Sequence, residues 1–410
     1  MRIMYLTQWF EPEPNIVKGL AFVHALQSAG HEVTVVTGLP NYPAGRLYAG
    51  YRMRLIQRET IDGVRVVRLP LYPSHDSNSL RRSLNYLSFF LSACLYCLFR
   101  RSRYDLAYVY HPPITVGLAA ALAGRIRRLP FVLDVQDLWP DTVAATGMAG
   151  GRKLARTLGA LCNLVYREAA AIIVQSQGMR RALIERGVPE AKLTAIHNWA
   201  DVDQLAAPGS WKNPRFTIVY GGNFGRAQAL GAVIDAAAII QRERQDIEII
   251  LYGGGIDEAS LKERVAARGV TMLRFEEHLP KHEIIPVFAR ADALLLHLAD
   301  DPLFAITIPS KTQFYLAMGR PIVAGVAGEA AEILRESGAA IVAAPGNAEA
   351  LATAIRSLAD LPLERRDAMG RNGQDFYRER LSFDQGIAKT LELLRGTYPG
   401  EPPRGQTAKP

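Results

Sequence analysis

The sequence predicts an α/β protein built from two doubly wound domains that face a central cleft. Three observations support this prediction. A strand, a helix and a second strand follow one another within the first forty residues, which is the βαβ unit of a parallel sheet. Residues 203–214 lack periodicity and are rich in turn-forming residue types, and the same alternation restarts after them. The length of 410 residues also suits two domains better than one.

The first half of the chain is predicted to form a sheet of six or seven parallel strands. The opening unit consists of a strand at 2–7, a helix at 20–29 with apolar residues at helical spacing, and a strand at 33–37. Further strands are predicted at 64–69, 106–110, 131–135, 172–174 and 193–196, with helices at 84–99, 119–126 and 179–185. These elements form the first domain, residues 1–202.

The second half repeats the alternation and is predicted as a second domain, residues 203–375. Its strands are predicted at 217–220, 247–252, 294–297 and 322–326, and its helices at 229–240, before residue 319 and at 349–358. A C-terminal helix is expected within 376–398. The tail, 399–410, has no apolar periodicity, so we expect it to be disordered.

Composition and charge limit the kinds of partner that the protein can be expected to bind. The chain is 49% hydrophobic and 21% charged, as in well-packed soluble proteins. The first 200 residues contain 24 Lys+Arg and 13 Asp+Glu, whereas the other 210 contain 24 and 27, so the basic excess belongs to the first half. A basic half can bind nucleic acid, an anionic membrane or phosphate-bearing substrates, or it can be a solvated surface. Nucleic acid fits least, because the positive charge surrounds apolar sequence rather than base-stacking aromatic residues.

Cysteine usage and the first residues favour a cytoplasmic protein. The three cysteines allow no disulfide framework, and Cys94 and Cys97 lie in an apolar run, where thiols are unreactive. The strand-like start has neither the apolar core nor the cleavage site of a signal peptide.

An apolar helix flanked by arginines is predicted within residues 81–103. About fifteen apolar positions separate the pair Arg81-Arg82 from a second arginine cluster at 100–103. That length is shorter than the roughly 20 residues that span a bilayer. The pattern is typical of a helix that lies in the membrane interface with its cations on anionic head groups. The alternative is a helix buried against the sheet with surface arginines at its ends.

Three loops of the second half have the composition of a phosphate-binding site. Glycine-rich turns at 221–226 and 253–255 follow two predicted strands, and their backbone N–H groups can approach an anion closely. In the third loop, Pro309 fixes the start of a helix, Ser310 is its expected N-cap and Lys311 adds a positive charge. The candidate binding residues are Gly222, Asn223, Gly225, Gly254, Pro309 and Ser310, with the cations Arg226 and Lys311. The alternative for the third loop is an ordinary capped helix.

Two loops of the first half are further candidates, because parallel strands bring their carboxyl ends to a common edge. Lys18 and Gly19 follow the first strand, and Asp137 follows the strand at 131–135. Asp137 is the best placed carboxylate for a general base, and its alternative role is an N-cap for the next turn. The alternative for the other two is a solvated lysine and a turn glycine.

No metal site is expected. Asp201 and Asp203 form an Asp-x-Asp pair, but they lie beside the predicted linker. His278 and His282 are four residues apart, and Pro280 between them would break the helix that a metal-binding pair needs.

Several segments carry a resemblance to a known family. They are GHEVTVVT at 30–37, DLWPD at 137–141, HNWAD at 197–201, YGGNFGRAQ at 220–228 and IPSKTQFYLAMGRPIV at 308–323. The chain resembles the family 4 retaining glycosyltransferases, whose GT-B fold consists of two Rossmann-like domains. It looks most similar to O-antigen and capsule N-acetyl-L-fucosamine transferases through NYPAGRLYAGY at 41–51 and LPLYPSHDSNS at 69–79.

The resemblance implies roles for the candidate residues. Gly225, Arg226 and Lys311 correspond to positions that hold the diphosphate of the donor. Lys18 and Gly19 correspond to the loop that closes over the donor sugar. Cleavage of a sugar–diphosphate bond leaves negative charge on the leaving group, and fixed cations stabilise it, so no metal cofactor is required.

The chain departs from the family pattern at four positions. Gln136 stands where many relatives have an active-site histidine, and Gln228 stands where a lysine is usual. Ile306 and Phe314 replace the paired glutamates spaced eight apart. These departures leave the arginine and lysine of the donor loops as the main expected catalytic groups.

The resemblance implies transfer of one sugar, N-acetyl-L-fucosamine or a related amino or deoxy sugar, from a nucleotide sugar to an undecaprenyl-diphosphate-linked saccharide. The products would be lipopolysaccharide O-antigen, capsule or exopolysaccharide, made by an enzyme peripheral to the inner face of the cytoplasmic membrane. One alternative is a nucleotide-sugar 2-epimerase of the same fold, which needs no membrane. Another is a non-catalytic nucleotide-binding scaffold.

Overall fold

A computed structural model describes residues 1–14, 17–74, 79–100, 103–111, 113–141, 152–200 and 213–398. The chain divides into two compact units. Unit 1 comprises Met1–His197 and Gly386–Pro410, and unit 2 comprises Asn198–Gln385. The predicted disordered tail, the Asp-x-Asp pair and most of the predicted linker lie outside the described residues.

Unit 1 is built on an eight-stranded sheet. Its strands are β1 (Arg2–Leu6), β2 (Glu32–Gly38), β3 (Gln57–Ile61), β4 (Val64–Leu69), β5 (Leu106–His111), β6 (Phe131–Val135), β7 (Ala171–Val174) and β8 (Leu193–Ala195). The order is β3-β4-β2-β1-β5-β6-β7-β8. All neighbours are parallel except β3, which runs antiparallel to β4. The predicted parallel sheet is confirmed. The additional strand β3 has a polar sequence, which gives no signal of a buried strand.

The helices of unit 1 lie between these strands. They are α1 (Leu20–Ser28), α2 (Ser79–Phe99), α3 (Ile114–Arg127), α4 (Arg152–Glu168) and α5 (Gln177–Glu185). Helix α4 is not predicted from the sequence, although Leu158, Leu161 and Val165 recur along it at helical spacing.

Helix α2 has two different faces. One face packs into unit 1, where Phe89, Ala93 and Cys97 are buried. The other face carries a leucine stripe that is between 43% and 68% exposed, consisting of Leu80, Leu84, Leu87, Leu91 and Leu95. Among the described helices, none is both long and apolar enough to cross a membrane. The structure therefore combines the two predicted alternatives, with burial on one side and an exposed apolar surface on the other.

Unit 2 is built on a six-stranded parallel sheet. Its strands are β9 (Phe216–Asn223), β10 (Ile247–Gly254), β11 (Leu273–Glu276), β12 (Ala293–His297), β13 (Ile322–Gly325) and β14 (Ala340–Ala343). The order is β11-β10-β9-β12-β13-β14. Side chains alternate across this sheet, so that Ile218 and Tyr220 join one core and Val219 joins the other.

Helices cover both faces of this second sheet. They are α6 (Gly231–Ile240), α7 (Glu258–Arg268), α8 (Lys281–Arg290), α9 (Pro302–Ala305), α10 (Ser310–Met318), α11 (Gly328–Glu336), α12 (Ala348–Ala359) and α13 (Leu363–Phe376). The last helix, α14 (Phe383–Thr397), belongs to unit 1 from Gly386 onward. Because parallel strands end at one edge, the loops after β9, β10 and β12 come together there.

Candidate active site

The two glycine-rich turns of unit 2 interlock at the carboxyl edge of its sheet. The β9–β10 ladder continues into them, with Gly222 opposite Gly253 and Asn223 opposite Gly254. The N–H of Phe224 donates to the carbonyl of Gly254 at 2.7 Å. Gly222 and Gly253 have φ of +138° and +146°, and a Cβ on Gly253 would collide with the carbonyl of Gly222. Glycine is required here because the two main chains approach too closely for a side chain.

Lys311 reaches the first of these turns from the second position of α10. A Cβ placed on Gly222 would lie 2.7 Å from Lys311 Nζ, and Nζ lies 5.0 Å from the centroid of the Tyr220 ring. Burial lowers the pKa of Lys311 to about 8, with no charged neighbour acting on it. In the described part of the chain, Lys311 is therefore a half-buried cation without an ion-pair partner.

The start of α10 corrects the prediction by one residue. Pro309 occupies the N-cap position with φ −65° and ψ 139°, and Ser310 is the first helical residue rather than the cap. The N–H of Thr312 donates to the carbonyl of Pro309 at 2.8 Å. The first N–H groups of a helix lack intrahelical acceptors, so the positive end of α10 lies beside the Lys311 side chain. This combination suits an anion.

Arg226 begins a short 3₁₀ turn directly after the first glycine turn. Its side chain is exposed and forms no ion pair with a described residue. Gln228 closes the turn, because its Oε1 accepts a hydrogen bond from the N–H of Gly225 at 3.2 Å. The carbonyl of Ala227 accepts from the N–H of Ala299, beyond β12, at 2.9 Å.

The structure places Lys311 against the first glycine turn and the main chain of Arg226 directly after it. Lys311 lies against Gly222, and Arg226 follows that glycine by four positions. Neither cation has an acidic partner among the described residues, so the loop carries two uncompensated positive charges. Such a loop can bind a doubly charged anion such as a diphosphate.

His297, the last residue of β12, anchors the Arg226 turn. Its Nε2 accepts a hydrogen bond from the N–H of Gly346 at 3.3 Å, so Nδ1 carries the hydrogen and donates to the carbonyl of Gln228 at 2.9 Å. The side chain is buried, and burial lowers the pKa of His297, which keeps the imidazole neutral. His297 is not among the residues predicted from the sequence, although it ends a buried strand at the edge where ligands bind.

Aromatic packing replaces the usual paired glutamates. Phe314 lies 5.8 Å from Phe288 and 6.3 Å from Tyr315 between ring centroids. The hydroxyl of Tyr315 accepts a hydrogen bond from the N–H of Gly221 at 3.2 Å. Ile306 follows α9 and is half-buried. Phe314 thus packs against the two rings that lie next to the glycine turn, and neither Phe314 nor Ile306 carries a charge.

Lys18 lies in a different environment from the predicted one. Its side chain is fully buried and forms an ion pair with Asp134 of β6. The hydroxyl of Tyr108 and the amide of Gln175 also donate to Asp134. In this structure Lys18 stabilises the interior of unit 1, and its contact with the donor stays a prediction.

Gly19 lies at the start of α1, next to a carboxylate. The N–H of Leu20 donates to Glu11 Oε1 at 2.7 Å, and a side chain on Gly19 would collide with the Glu11 carboxylate. The N-terminus of α1 is thus occupied by an acidic side chain of the same unit.

Asp137 lies just beyond β6 and is half-buried. Burial raises the pKa of Asp137. No described residue forms an ion pair or hydrogen bond with its carboxylate, so the alternative role as an N-cap has no support in the described chain. Burial raises the pKa of Tyr86 of α2, and among the charges that act on this tyrosine, Arg82 lowers its pKa and Asp137 raises it.

Three half-buried aromatic rings surround this part of unit 1. The Trp9 ring lies 5.9 Å from Tyr42 and 6.3 Å from Tyr86 between centroids. We call these three residues the aromatic cluster. Trp9 follows β1, Tyr42 follows β2 and Tyr86 lies on α2, and none of the three is singled out from the sequence.

The described residues contain no group of three or more His, Cys, Asp or Glu side chains that could hold a metal ion. His278 precedes α8, and His282 lies in its first turn with Pro280 as the N-cap. His282 instead approaches Glu283, with 3.5 Å between Nε2 and the carboxylate.

Two family models match this sequence. The Glycosyl transferase 4-like domain model matches residues 20–199, and the Glycosyl transferases group 1 model matches residues 201–376. The chain belongs to the group 1 glycosyltransferases.

Curated relatives of this glycosyltransferase are named as glycosyltransferases or as glycogen synthase. The chain is 28% identical over 361 residues to the Escherichia coli protein named as colanic acid biosynthesis glycosyl transferase WcaI, covering 83% of this chain and 87% of that one. It is 27% identical to the Pseudomonas aeruginosa protein named as glycosyltransferase WbjE, covering 64% and 68%. It is 24% identical to glycogen synthase of Mycobacterium tuberculosis, covering 94% and 91%.

Solved structures show the same fold. This glycosyltransferase matches Anabaena HepE, solved with UDP and glucose, with a TM-score of 0.64 at 17% identity, covering 96% of this chain and 98% of that one. It matches sucrose-phosphate synthase of Thermosynechococcus elongatus with a TM-score of 0.71 at 16% identity, covering 98% and 100%. The predicted GT-B fold is confirmed, with a Rossmann-like parallel sheet in each unit.

Proposed function

We propose that this glycosyltransferase transfers a sugar, with retention of anomeric configuration, from a nucleotide sugar to a lipid-linked saccharide at a membrane surface. The observation that carries the proposal is Lys311, a half-buried ammonium without an acidic partner in the described chain, set against the glycine turn of unit 2. Burying an unpaired charge is unfavourable unless a ligand supplies the counter-charge.

The leaving diphosphate is the natural counter-charge. Lys311 provides a point charge, Arg226 can hold two oxygens at once, and the N-terminus of α10 provides free N–H groups. Negative charge on these oxygens increases as the sugar–oxygen bond breaks. Groups that are already fixed around the glycine turn therefore stabilise the transition state without rearranging.

Unit 1 supplies groups for the acceptor. Asp137 has no partner among the described residues and burial raises its pKa, which makes it a suitable acceptor for the proton of the attacking hydroxyl. The aromatic cluster of Trp9, Tyr42 and Tyr86 offers ring faces of the kind on which the apolar faces of sugars pack. We place the acceptor saccharide on these rings.

The exposed surface of unit 1 supports membrane attachment. Ten of the thirteen large apolar side chains exposed in the described chain fall between Met53 and Phe99, including the whole leucine stripe of α2. Contiguous exposed apolar surface marks a site of interaction. Arginines lie on both sides of this stretch in the sequence, as in interfacial helices on anionic lipids.

The donor sugar is proposed from similarity. WcaI is named for colanic acid biosynthesis, and the sequence resembles N-acetyl-L-fucosamine transferases at 41–51 and 69–79. HepE has been solved with UDP-glucose, so uridine diphosphate sugars are the first donors to test. UDP-N-acetyl-L-fucosamine is our leading candidate, and no metal ion is part of the proposed mechanism.

The test measures binding first and transfer second. A thermal-shift screen of nucleotide sugars identifies the donor, and the bound donor is then incubated with lipid-linked saccharides extracted from membranes. We expect Arg226→Ala and Lys311→Met each to lower transfer at least 100-fold, whereas Arg242→Ala, an exposed arginine of unit 2, leaves it unchanged. NMR of the product reports the anomeric configuration.

Two results would support other functions. Release of a C2-epimerised free nucleotide sugar without any lipid acceptor would favour the epimerase. Binding of nucleotide sugars without turnover on any acceptor would favour the scaffold. Full transfer activity in the double variant of Arg226 and Lys311 would remove the proposed mechanism.

A further inference from the structure

A groove of about 550 Å³ runs along the outer edge of unit 1. The loop before β3, the end of β4 and the second half of α2 form its walls. Its apolar lining includes Leu55, Ile56, Leu69, Pro70, Leu95 and Phe99. Leu55 is 87% exposed and Phe99 is 78% exposed, so the groove is open and apolar at once. Leaving such surface in water is unfavourable, which indicates an apolar occupant.

A second, polar groove of about 390 Å³ adjoins the first. Arg58 and Tyr96 line both grooves. The polar one is completed by side chains of β2, β3 and β4 and by Tyr104, whose hydroxyl lies 3.2 Å from that of Tyr96. An elongated ligand lying across this junction would meet apolar walls at one end and polar groups at the other.

The charge at the junction is positive. Arg58 is exposed and forms no ion pair with a described residue. Arg100 lines the apolar groove as well, and no acidic side chain lines that groove. Glu59 is the acidic side chain that lines the polar groove. It forms an ion pair with Arg68, with 2.6 Å between Nε and Oε1, and so does not neutralise Arg58. An anionic group is therefore favoured beside Arg58.

We infer that these two grooves bind one anionic glycerophospholipid, with an acyl chain in the apolar groove and the phosphate beside Arg58. The volume of the apolar groove lies within the range of small-ligand sites, roughly 300–1,000 Å³, so it holds a single chain rather than an area of bilayer. The leucine stripe lies on the same helix and would bring the grooves to the lipid surface. The inference rests on the proposed membrane attachment and adds a specific lipid site to it.

The test uses a lipid that is soluble as a monomer. The full chain is titrated calorimetrically with dihexanoyl phosphatidylglycerol below its micelle concentration, and with the matching phosphatidylcholine. We expect one-to-one binding of the anionic lipid and at least tenfold weaker binding of the zwitterionic one. Arg58→Gln and Leu55→Asp should each weaken binding at least tenfold, and both residues are exposed, so these variants should fold.

Matched controls separate the grooves from the rest of the surface. Arg242→Gln removes an exposed arginine from unit 2, and Ile126→Asp places a charge on α3 at a position that is 58% exposed. Both should bind the monomeric lipid as the wild type does. Leu87→Asp, on the leucine stripe, should abolish flotation with phosphatidylglycerol vesicles while leaving monomer binding intact.

Three results would overturn the inference. In the first, vesicles bind the wild type but the monomeric lipid does not, which would leave membrane attachment in place without a groove site. In the second, the Arg58 and Leu55 variants bind the monomer with wild-type affinity. In the third, a short isoprenyl phosphate binds at least tenfold more tightly than the phosphatidylglycerol, which would assign the grooves to an isoprenoid lipid.

Discussion

Gly222 and Lys311 compete for the same space. A Cβ built on Gly222 would lie 2.7 Å from both Cε and Nζ of Lys311, closer than carbon and nitrogen atoms pack without a bond. The absence of a side chain at one residue therefore decides where the charge of the other is held. This relationship connects the backbone of β9 to the proposed chemistry.

Gly222→Ala should displace the Lys311 ammonium from the glycine turn. We expect transfer to fall at least 30-fold and the affinity for the nucleoside diphosphate to fall with it. The φ of +138° at this residue also strains any side chain, so the free energy of unfolding should decrease by about 1–3 kcal/mol. Gly269→Ala is the control, since that residue has φ +60° with open space around it. It should lose stability but keep full activity.

Binding of the nucleoside diphosphate should weaken at alkaline pH. Burial lowers the pKa of Lys311 to about 8, so the free protein loses this charge as the pH rises through about 8. We expect the dissociation constant to increase by up to about tenfold per pH unit above that value, because one proton is linked to binding. Calorimetry between pH 7 and 9.5 measures this. Lys311→Arg stays protonated throughout, and an equally steep rise in that variant would refute the assignment.

Stability should change in the opposite direction over the same range. The unfolded chain keeps Lys311 protonated up to about 10.4, whereas the folded chain releases the proton near pH 8. The free energy of unfolding should therefore increase between these two pH values, since the unfolded state binds more protons there. Urea denaturation of the wild type and of Lys311→Met checks this, and the increase should be absent from the variant.

Asp137→Asn should lower transfer by about 10²–10⁴-fold, the usual contribution of a general base. Donor binding should change less than twofold, because Asp137 belongs to unit 1 and the donor groups belong to unit 2. Burial raises the pKa of Asp137, so its ionised form destabilises the fold at neutral pH, and the amide should increase the free energy of unfolding. Loss of activity together with loss of stability would instead indicate a structural role.

His297→Leu should loosen the Arg226 turn. It leaves the Gln228 carbonyl and the Gly346 N–H without their partner, which should cost about 1–3 kcal/mol of stability and reduce transfer. His297→Asn retains a donor for Gln228 and should recover part of both. Burial lowers the pKa of His297, so its contribution is complete above the unfolded value of about 6.5 and is lost as the pH falls through the folded pKa. Denaturation from pH 5 to 7.5 should show this loss in the wild type alone.

The buried parallel strands could be predicted from the sequence, whereas the strand at the edge of the first sheet could not. The strand at 131–135 is predicted at its observed bounds because four of its five residues are apolar, as in a strand buried on both faces. Strand β3 is not predicted because an edge strand with one exposed face does not need a run of apolar residues. Its pairing with β4 is also antiparallel, which a pattern of alternating strands and helices does not indicate.

The donor loops could be predicted because their signals are local in the sequence. The burial of Lys18 could not be predicted because it depends on a residue far away in the chain. Each glycine turn is encoded by a few consecutive residues, and so is the proline with its following lysine at the start of α10. The partner of Lys18 is Asp134, which is 116 positions away, so the loop sequence alone cannot show that the lysine faces inward. His297 forms hydrogen bonds with backbone groups of two loops that are distant in the sequence, so its role cannot be predicted from the residues around it.

The path of the chain sets the order in which a ribosome can complete the two units. Residues 198–385 are one uninterrupted block, whereas unit 1 is assembled from both ends of the chain. Ile387 and Leu394 of α14 are buried parts of unit 1, so that unit lacks a piece of its interior until all of unit 2 and α14 have been made. The half that is translated first is thus the half that is finished last, and a premature stop after residue 385 would damage the N-terminal half rather than the C-terminal one.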